Sequence, residues 1–468
     1  VQKRERGGAI HLASLATNVD NRPGNFSPSV YGYRIMLRAI TPLAAAWLLL
    51  TLVGGCGGQQ QTLDQVIDDA SRLPGVSRSQ HSQLRALLRD IELAGGLPTD
   101  VSRPEEPAGS NAATLLLNAL APGDDFDTTS DATADLLAQL PTTPLADWYR
   151  QAGKFVDDHR KLLDRVRAAS LQPACQFDYH FAHGYFNDTH FIDAAATACR
   201  LQLVASALAT QTSALAPAID EWILAWQWTR WLDTLPLVDA RLQAAVLRAE
   251  ALTVLSLIAT DQRTTPRDLV QLAAALQGAL ATWPAEGDML VAERALVMHA
   301  YEMVRQGLLD LVVTSAESKL LREEKVWYPL KEADATRIDD DQFHYLNYMV
   351  GVIALAERPY HLRVSELREL DRQLGVTADG RYPWLAKRVF ADGLTKAQAD
   401  LARSQTELLG WLVALRAAAG QPLPSPPASP LTGEAITVEA VGNRAIARLN
   451  DRSLADPSVR VPTAPPAN

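Results

Sequence analysis

The sequence is poor in cysteine, in charge and in long apolar runs. Three cysteines in 468 residues cannot build a disulfide scaffold or several zinc sites. Basic residues number 44 against 54 acidic, a net charge of −10. That balance is wrong for gripping a nucleic-acid backbone, so no nucleic-acid partner is expected. There is no Gly-x-Ser-x-Gly elbow, no Walker loop and no glycine fingerprint for a dinucleotide, which removes the most readable enzyme classes. What is present, 47% hydrophobic and 21% charged residues, fits a globular chain and excludes a disordered, collagen-like or multi-span membrane protein.

The N-terminal region reads as an export signal. Met36-Leu37-Arg38 is a short basic start, Ala39 to Gly55 is apolar, and Cys56 follows. The apolar segment covers about 17 residues, short of the roughly 20 that a spanning helix needs. Val53-Gly54-Gly55-Cys56 has the form of a lipobox, with small residues ahead of a cysteine whose thiol would carry the lipid. Residues 36–55 are therefore expected to be a lipoprotein signal peptide, 56–61 a tether, and 1–35 upstream sequence read as protein. Residues 1–55 carry six basic and two acidic side chains, so the chain from Cys56 holds 38 basic against 52 acidic residues over 413 positions, a net of −14. The expected location is the face of a bacterial membrane, with the body toward the periplasm or the outside. The expected partners are that membrane, through the lipid, and other envelope proteins.

Residues 62–420 read as a succession of helices, giving an all-α fold of packed irregular helical hairpins. Ala/Leu-rich stretches at 188–216, 218–260 and 287–313 favour helix, with Pro217 and Pro236 as boundaries. Thr62 with Gln65, Thr143-Pro144, Thr265-Pro266 with Asp268, and Thr395 with Gln398 look like helix starts. Stretches 98–110 and 121–132 read as loops. At 421–450 a proline-rich link precedes a β-hairpin, 436–440 and 445–449 around Gly442-Asn443. Residues 451–468 are expected to be a disordered tail.

Three groups of residues could carry chemistry. His180, His183 and His190 could supply the three imidazoles of a catalytic zinc, although their spacing matches no zinc motif. The expected cofactor is therefore none, with zinc as the rival. Cys175 and Cys199, the two cysteines left once Cys56 is lipidated, would form a bridge in an oxidising compartment, closing a 25-residue loop and stabilising by about 3 kcal/mol. Trp222, Trp226, Trp228 and Trp231 crowd one helix, either as a buried core or as an aromatic platform for a sugar or lipid. Asp339-Asp340-Asp341 lacks the glycine and distal glutamate of a calcium loop and suits a helix N-terminus.

Several phrases resemble a family of long α-helical exported proteins common in Planctomycetes. They are Asn111-Ala112-Ala113 before Leu115-Leu116-Leu117, Cys175-Gln176-Phe177, Thr229-Arg230-Trp231-Leu232 with Arg241-Leu242, Glu293-Arg294-Ala295-Leu296, and Arg358-Pro359-Tyr360. The ending Ser429-Pro430-Leu431-Thr432-Gly433-Glu434 and its hairpin are similar to that family's tail and to the C-terminal part of type II secretion pseudopilins, with Ser429 in place of an aspartate. The resemblance implies the helical fold and export, and assigns no activity. The expected function is a lipid-anchored envelope scaffold or protein-interaction lipoprotein. The alternatives are a metal-binding protein or hydrolase using the histidines, and a ligand binder using the tryptophans.

Overall fold

Alternating Ala/Leu faces and short polar breaks give sixteen helices among the described residues, followed by a small sheet. The computed structural model describes residues 78–96, 111–120, 124–179, 188–212, 214–333, 335–374, 384–450 and 458–463. In order the helices are α1 (Arg78–Leu93), α2 (Ala112–Ala119), α3 (Asp124–Gln139), α4 (Leu145–Asp158), α5 (Arg160–Ser170), α6 (His190–Ala209), α7 (Ala216–Asp233) and α8 (Val238–Ala259). Then come α9 (Pro266–Ala281), α10 (Glu286–Arg305), α11 (Leu309–Val312), α12 (Ser315–Glu323), α13 (Trp327–Lys331), α14 (Ala335–Leu355) and α15 (Tyr360–Leu374). A π-turn (Ala386–Phe390) precedes the long α16 (Leu394–Ala418). The all-α class is thus correct.

The helices enclose two apolar cores. One is built on α2–α9 and the C-terminal half of α16, from Leu408 onward. The other holds α1, α10–α15, the π-turn and the N-terminal half of α16, up to Ala402. α6, α7 and α8 pack on one another at the heart of the first core, and α10 packs on α14 in the second. α6 and α8 are apolar and long enough to cross a membrane by composition alone, but 83% of the α6 window is buried inside the protein and 50% of that in α8. For α6, that burial is what a central core helix requires.

Local starts follow the sequence in part. Thr265 caps α9 in a reciprocal box with Asp268, and Pro266 opens the helix. Pro217 lies in the first turn of α7, and Pro236 falls in the break before α8. The Thr143-Pro144 start is displaced by one residue: Pro144 occupies the cap position and Thr143 makes no cap bond. Thr395 and Gln398 do not form a box, because Gly393, at φ +78, caps α16 and puts both inside the helix. There Gln398 is buried. The Thr62–Gln65 box and residues 98–110 lie outside the described residues. The stretch 121–132 is expected as a loop, but its described residues, from Asp124 onward, form the first half of α3, where Thr129 and Thr133 face inward at 4% and 0% exposure.

The C-terminal appendage is larger than a hairpin. β1 (Thr437–Val441) and β2 (Arg444–Arg448) pair antiparallel around Gly442-Asn443, and β3 (Ser458–Pro462) adds to β2. Gly442 has φ +62 while Asn443 stays in the ordinary region, the II′ pattern that matches strand twist. The disorder expected for 451–468 is corrected at β3. Val459 and Val461 alternate inward with Ala445 and Ala447 and bury on α16, which supplies the third strand that an isolated hairpin needs. Gly410 allows this approach, since a Cβ there would overlap Leu449.

Candidate functional site

The four tryptophans of α7 lie in the core. Trp222, Trp226, Trp228 and Trp231 are between 0% and 6% exposed. Trp222 and Trp226 stack at 5.1 Å, and Trp228 meets Trp231 edge-on at 4.8 Å. Trp222 Nε1 donates to the Ala251 carbonyl at 2.8 Å. Trp228 Nε1 donates to Gln202 Oε1 at 2.9 Å, the oxygen that also accepts from Ser170 Oγ at 3.1 Å. An aromatic platform open to a sugar or lipid is therefore ruled out for these side chains. Their large apolar area is spent between α6 and α8.

Cys175 is half-buried and Cys199 is buried, and both are free thiols. The expected bridge between them is absent. Burial pushes both thiols well above their ordinary range, so each behaves as a small apolar side chain. His190 is the first residue of α6, and its N–H donates to Asp188 Oδ1 at 2.9 Å. Asp188 thus acts at a helix start, where a carboxylate is favoured. His180 and His183 lie outside the described residues, as does Cys56. Among the described residues no group of three His, Cys, Asp or Glu side chains is placed to hold a metal ion.

The aspartate triplet is divided within α14. Asp339 accepts from Arg305 Nη2 at 2.6 Å. Asp341 is 2% exposed and accepts from Tyr301 Oη at 2.6 Å, from Leu385 N–H at 3.1 Å, from Ala386 N–H at 2.8 Å and from Trp384 N–H. Rather than standing at its own helix N-terminus, Asp341 caps the start of the π-turn from a neighbouring helix. Burial pushes its carboxyl upward against the opposing effect of these donors.

A second charged group, not singled out from sequence, joins the two cores. Arg248 on α8 is 1% exposed. Its Nη1 bonds Asp233 at the end of α7, its Nε donates to Ser404 Oγ on α16 at 2.9 Å, and its guanidinium lies over Trp283 at 4.7 Å. One heptad earlier Arg241 donates to the carbonyls of Leu235 at 3.1 Å and Ala285 at 2.7 Å. At Glu286, the next residue, α10 begins, and Arg363 of α15 pairs with its carboxylate while donating to the Leu355 carbonyl at 3.3 Å. Burial raises the Glu286 carboxyl, opposed by Arg363 and Arg241, and burial lowers Arg241. For Glu286 the ion pair and the upward shift pull in opposite directions; the direct Arg363 contact identifies it as an ionised partner.

The seam lies where α16 crosses between the cores, since Ser404 falls between Ala402 in one and Leu408 in the other. Two residues on, Thr406 meets Ser429 at 3.1 Å, and Ser429 Oγ accepts from the Thr432 N–H at 3.2 Å. Ser429 therefore ties the tail turn to the same helix. The sequence signal for the seam was Arg248 amid the Ala/Leu-rich residues of α8, a position where a guanidinium needs a partner. No protein-family model, curated protein or solved structure matches this chain.

Proposed function

We propose that the chain is a lipid-tethered scaffold of the bacterial cell envelope, which holds other envelope proteins against its helical surface. The observation that carries the reading is the buried seam. Arg241, Arg248 and Arg363, with Asp233 and Glu286, connect α7, α8, α10, α15 and α16, and so bind two helical cores into one stiff body. Support for the tether comes from Val53-Gly54-Gly55-Cys56, since acylation of a cysteine after small residues anchors a protein by its buried lipid chains. The net charge of −14 beyond Cys56 favours a body held off an anionic lipid surface.

The tether is tested by Cys56→Ser in the native cell, followed by membrane fractionation. The acylated wild type should sediment with membranes and the variant should be released or remain unprocessed. Processed Cys56→Ser protein still found with membranes would overturn the tether. The scaffold role is tested by crosslinking in the intact envelope and identification of the linked proteins. Recovery of the same small set from wild type and its loss on Arg248→Met is the expected result. A chain recovered only uncrosslinked would overturn that role.

A further inference from the structure

β1 and β3 are the two edges of the C-terminal sheet, and they are built differently. The pairing of Val441 with Arg444 across the two-residue turn fixes which backbone groups β1 gives to β2. Thr437, Glu439 and Val441 bond to β2, so the N–H and C=O groups of Val438 and Ala440 point out of the sheet. The bond from Thr463 N–H to the Asn443 carbonyl sets the same alternation on β2. On the outer edge of β1 neither Val438 nor Ala440 has a backbone partner among the described residues. Four of the five β1 residues are exposed, Val441 at 53%. The β3 edge presents Ser458, Arg460 and Pro462, and a proline there guards against further pairing because it has no N–H to give. β1 has no proline, no lysine and no bulge.

The chain itself already starts a strand along this edge. Ile436 N–H donates to the Pro427 carbonyl at 2.8 Å, and Ala428 bridges Ala435 antiparallel. The proline-rich link before Pro427 makes no further backbone bond to β1. The line is thus occupied at residue 436 and open at 438 and 440. Glu439 stands between the two open positions on the exposed face, and its bond to Arg448 at 2.9 Å holds its carboxyl below the ordinary range. It is therefore ionised at neutral pH. Two copies paired antiparallel through both open positions would set the two Glu439 side chains directly opposite each other. Like charges at that spacing are destabilising, whereas a basic side chain in the same place is attracted.

We propose that the β1 edge takes an extended segment of another protein by antiparallel strand addition, with a lysine or arginine opposite Glu439. Main-chain bonds to Val438 and Ala440 supply the affinity, and Glu439 supplies the charge preference. The proposal rests on the scaffold reading and names where a partner is held. Envelope crosslinks that map only away from the sheet would overturn the edge and leave that reading standing.

The test uses the purified full chain and two fluorescein-labelled peptides, read by anisotropy. One is Thr-Val-Thr-Lys-Thr-Val-Thr, and the other has glutamate at its centre. The lysine peptide should bind about fivefold more tightly, the effect of one cross-strand charge pair. Ala440→Pro removes only an outward N–H, because the pair of Ala440 with Ala445 makes no ladder bond. This variant should melt at the wild-type temperature and bind neither peptide. Glu439→Lys should invert the peptide preference, and it decides the matter if Ala440→Pro does not fold. No binding by wild type, equal binding of the two peptides, or undiminished binding by folded Ala440→Pro would overturn the site. A wild-type dimer in sedimentation that Ala440→Pro disperses would assign the edge to a second copy and overturn the proposal equally.

Discussion

Arg248 Nε donates to Ser404 Oγ at 2.9 Å at the point where α16 leaves one core and enters the other. The same guanidinium holds Asp233 at the end of α7. One side chain therefore couples three helices, two of which belong to the first core while the third serves both. Arg248→Met should cost about 3–5 kcal/mol, because it leaves Asp233 buried without its counter-charge. Ser404→Ala should cost about 1 kcal/mol, the net worth of one hydrogen bond. Chemical denaturation of the two single variants and the double variant checks this. The double should cost less than the sum, and strict additivity would show that the bond does not couple them.

The α7 tryptophans make a prediction about ligands as well as stability. Trp222→Ala should destabilise by about 3–5 kcal/mol, as expected for emptying a fully buried indole site. Trp228→Phe should cost less, mainly the bond to Gln202. Added glycans or lipid vesicles should leave the tryptophan emission of the wild type unchanged. A ligand-induced shift that vanishes in Trp222→Phe would mean that the bundle opens to admit a ligand.

The two body thiols should behave as inert groups. Burial holds Cys175 and Cys199 above their ordinary range, so the thiolate that reacts is scarce at pH 8. A Cys56→Ser protein prepared without reductant should alkylate slowly when folded. In denaturant it should take up two labels, read by mass spectrometry. A mass that shows no labels until reductant is added would restore the disulfide.

The C-terminal sheet should depend on both β3 and Gly410. Truncation after Asn450 removes Val459 and Val461, each worth roughly 1.5–3 kcal/mol when buried, and leaves the inner face of α16 open. The truncated chain should melt lower and show faster proteolysis of β1 and β2. Gly410→Leu should produce the same proteolytic pattern in the full chain, because the new side chain would occupy the position of Leu449. Protection equal to wild type in either variant would mean that the sheet is held some other way.

His299 supplies a pH dependence of defined sign. Burial lowers its pKa below the ordinary histidine value. The folded protein therefore favours the neutral ring, while the unfolded chain takes up a proton from about pH 6.5 downward. Its contribution to stability is present above that pH and is lost as the pH falls through the unfolded value toward the lower folded one. His299→Phe should flatten the fall in melting temperature between about pH 7 and pH 5. An unchanged slope would assign the acid sensitivity to other groups.

The helix order was legible because helix signals are local. Thr265-Pro266-Asp268 fixes a start through contacts three residues apart, and Pro217 and Pro236 mark breaks wherever the helices later pack. The Gly442-Asn443 turn was legible for the same reason. β3 was missed because Ser458–Pro462 is short, and its alternating valines acquire meaning only against β2 and α16. The first half of α3 was missed because its Thr and Asp residues favour turns in isolation. Packing overrode that preference, with Thr133 wholly buried.

By itself the sequence determined the all-α class, the starts of α7 and α9 and the break before α8, and it singled out Cys175 and the α7 tryptophans, since these rest on periodicity and short motifs. Only the tertiary structure decided what those residues face. It turned the tryptophans inward, kept Cys175 and Cys199 apart as thiols, and gave Asp341 the cap of a distant turn. It also gave Arg248 partners 15 and 156 residues away. Periodicity places a side chain on a face of its own helix. Whether that face meets a carboxylate or an indole depends on the position of every other helix, and no local pattern encodes that.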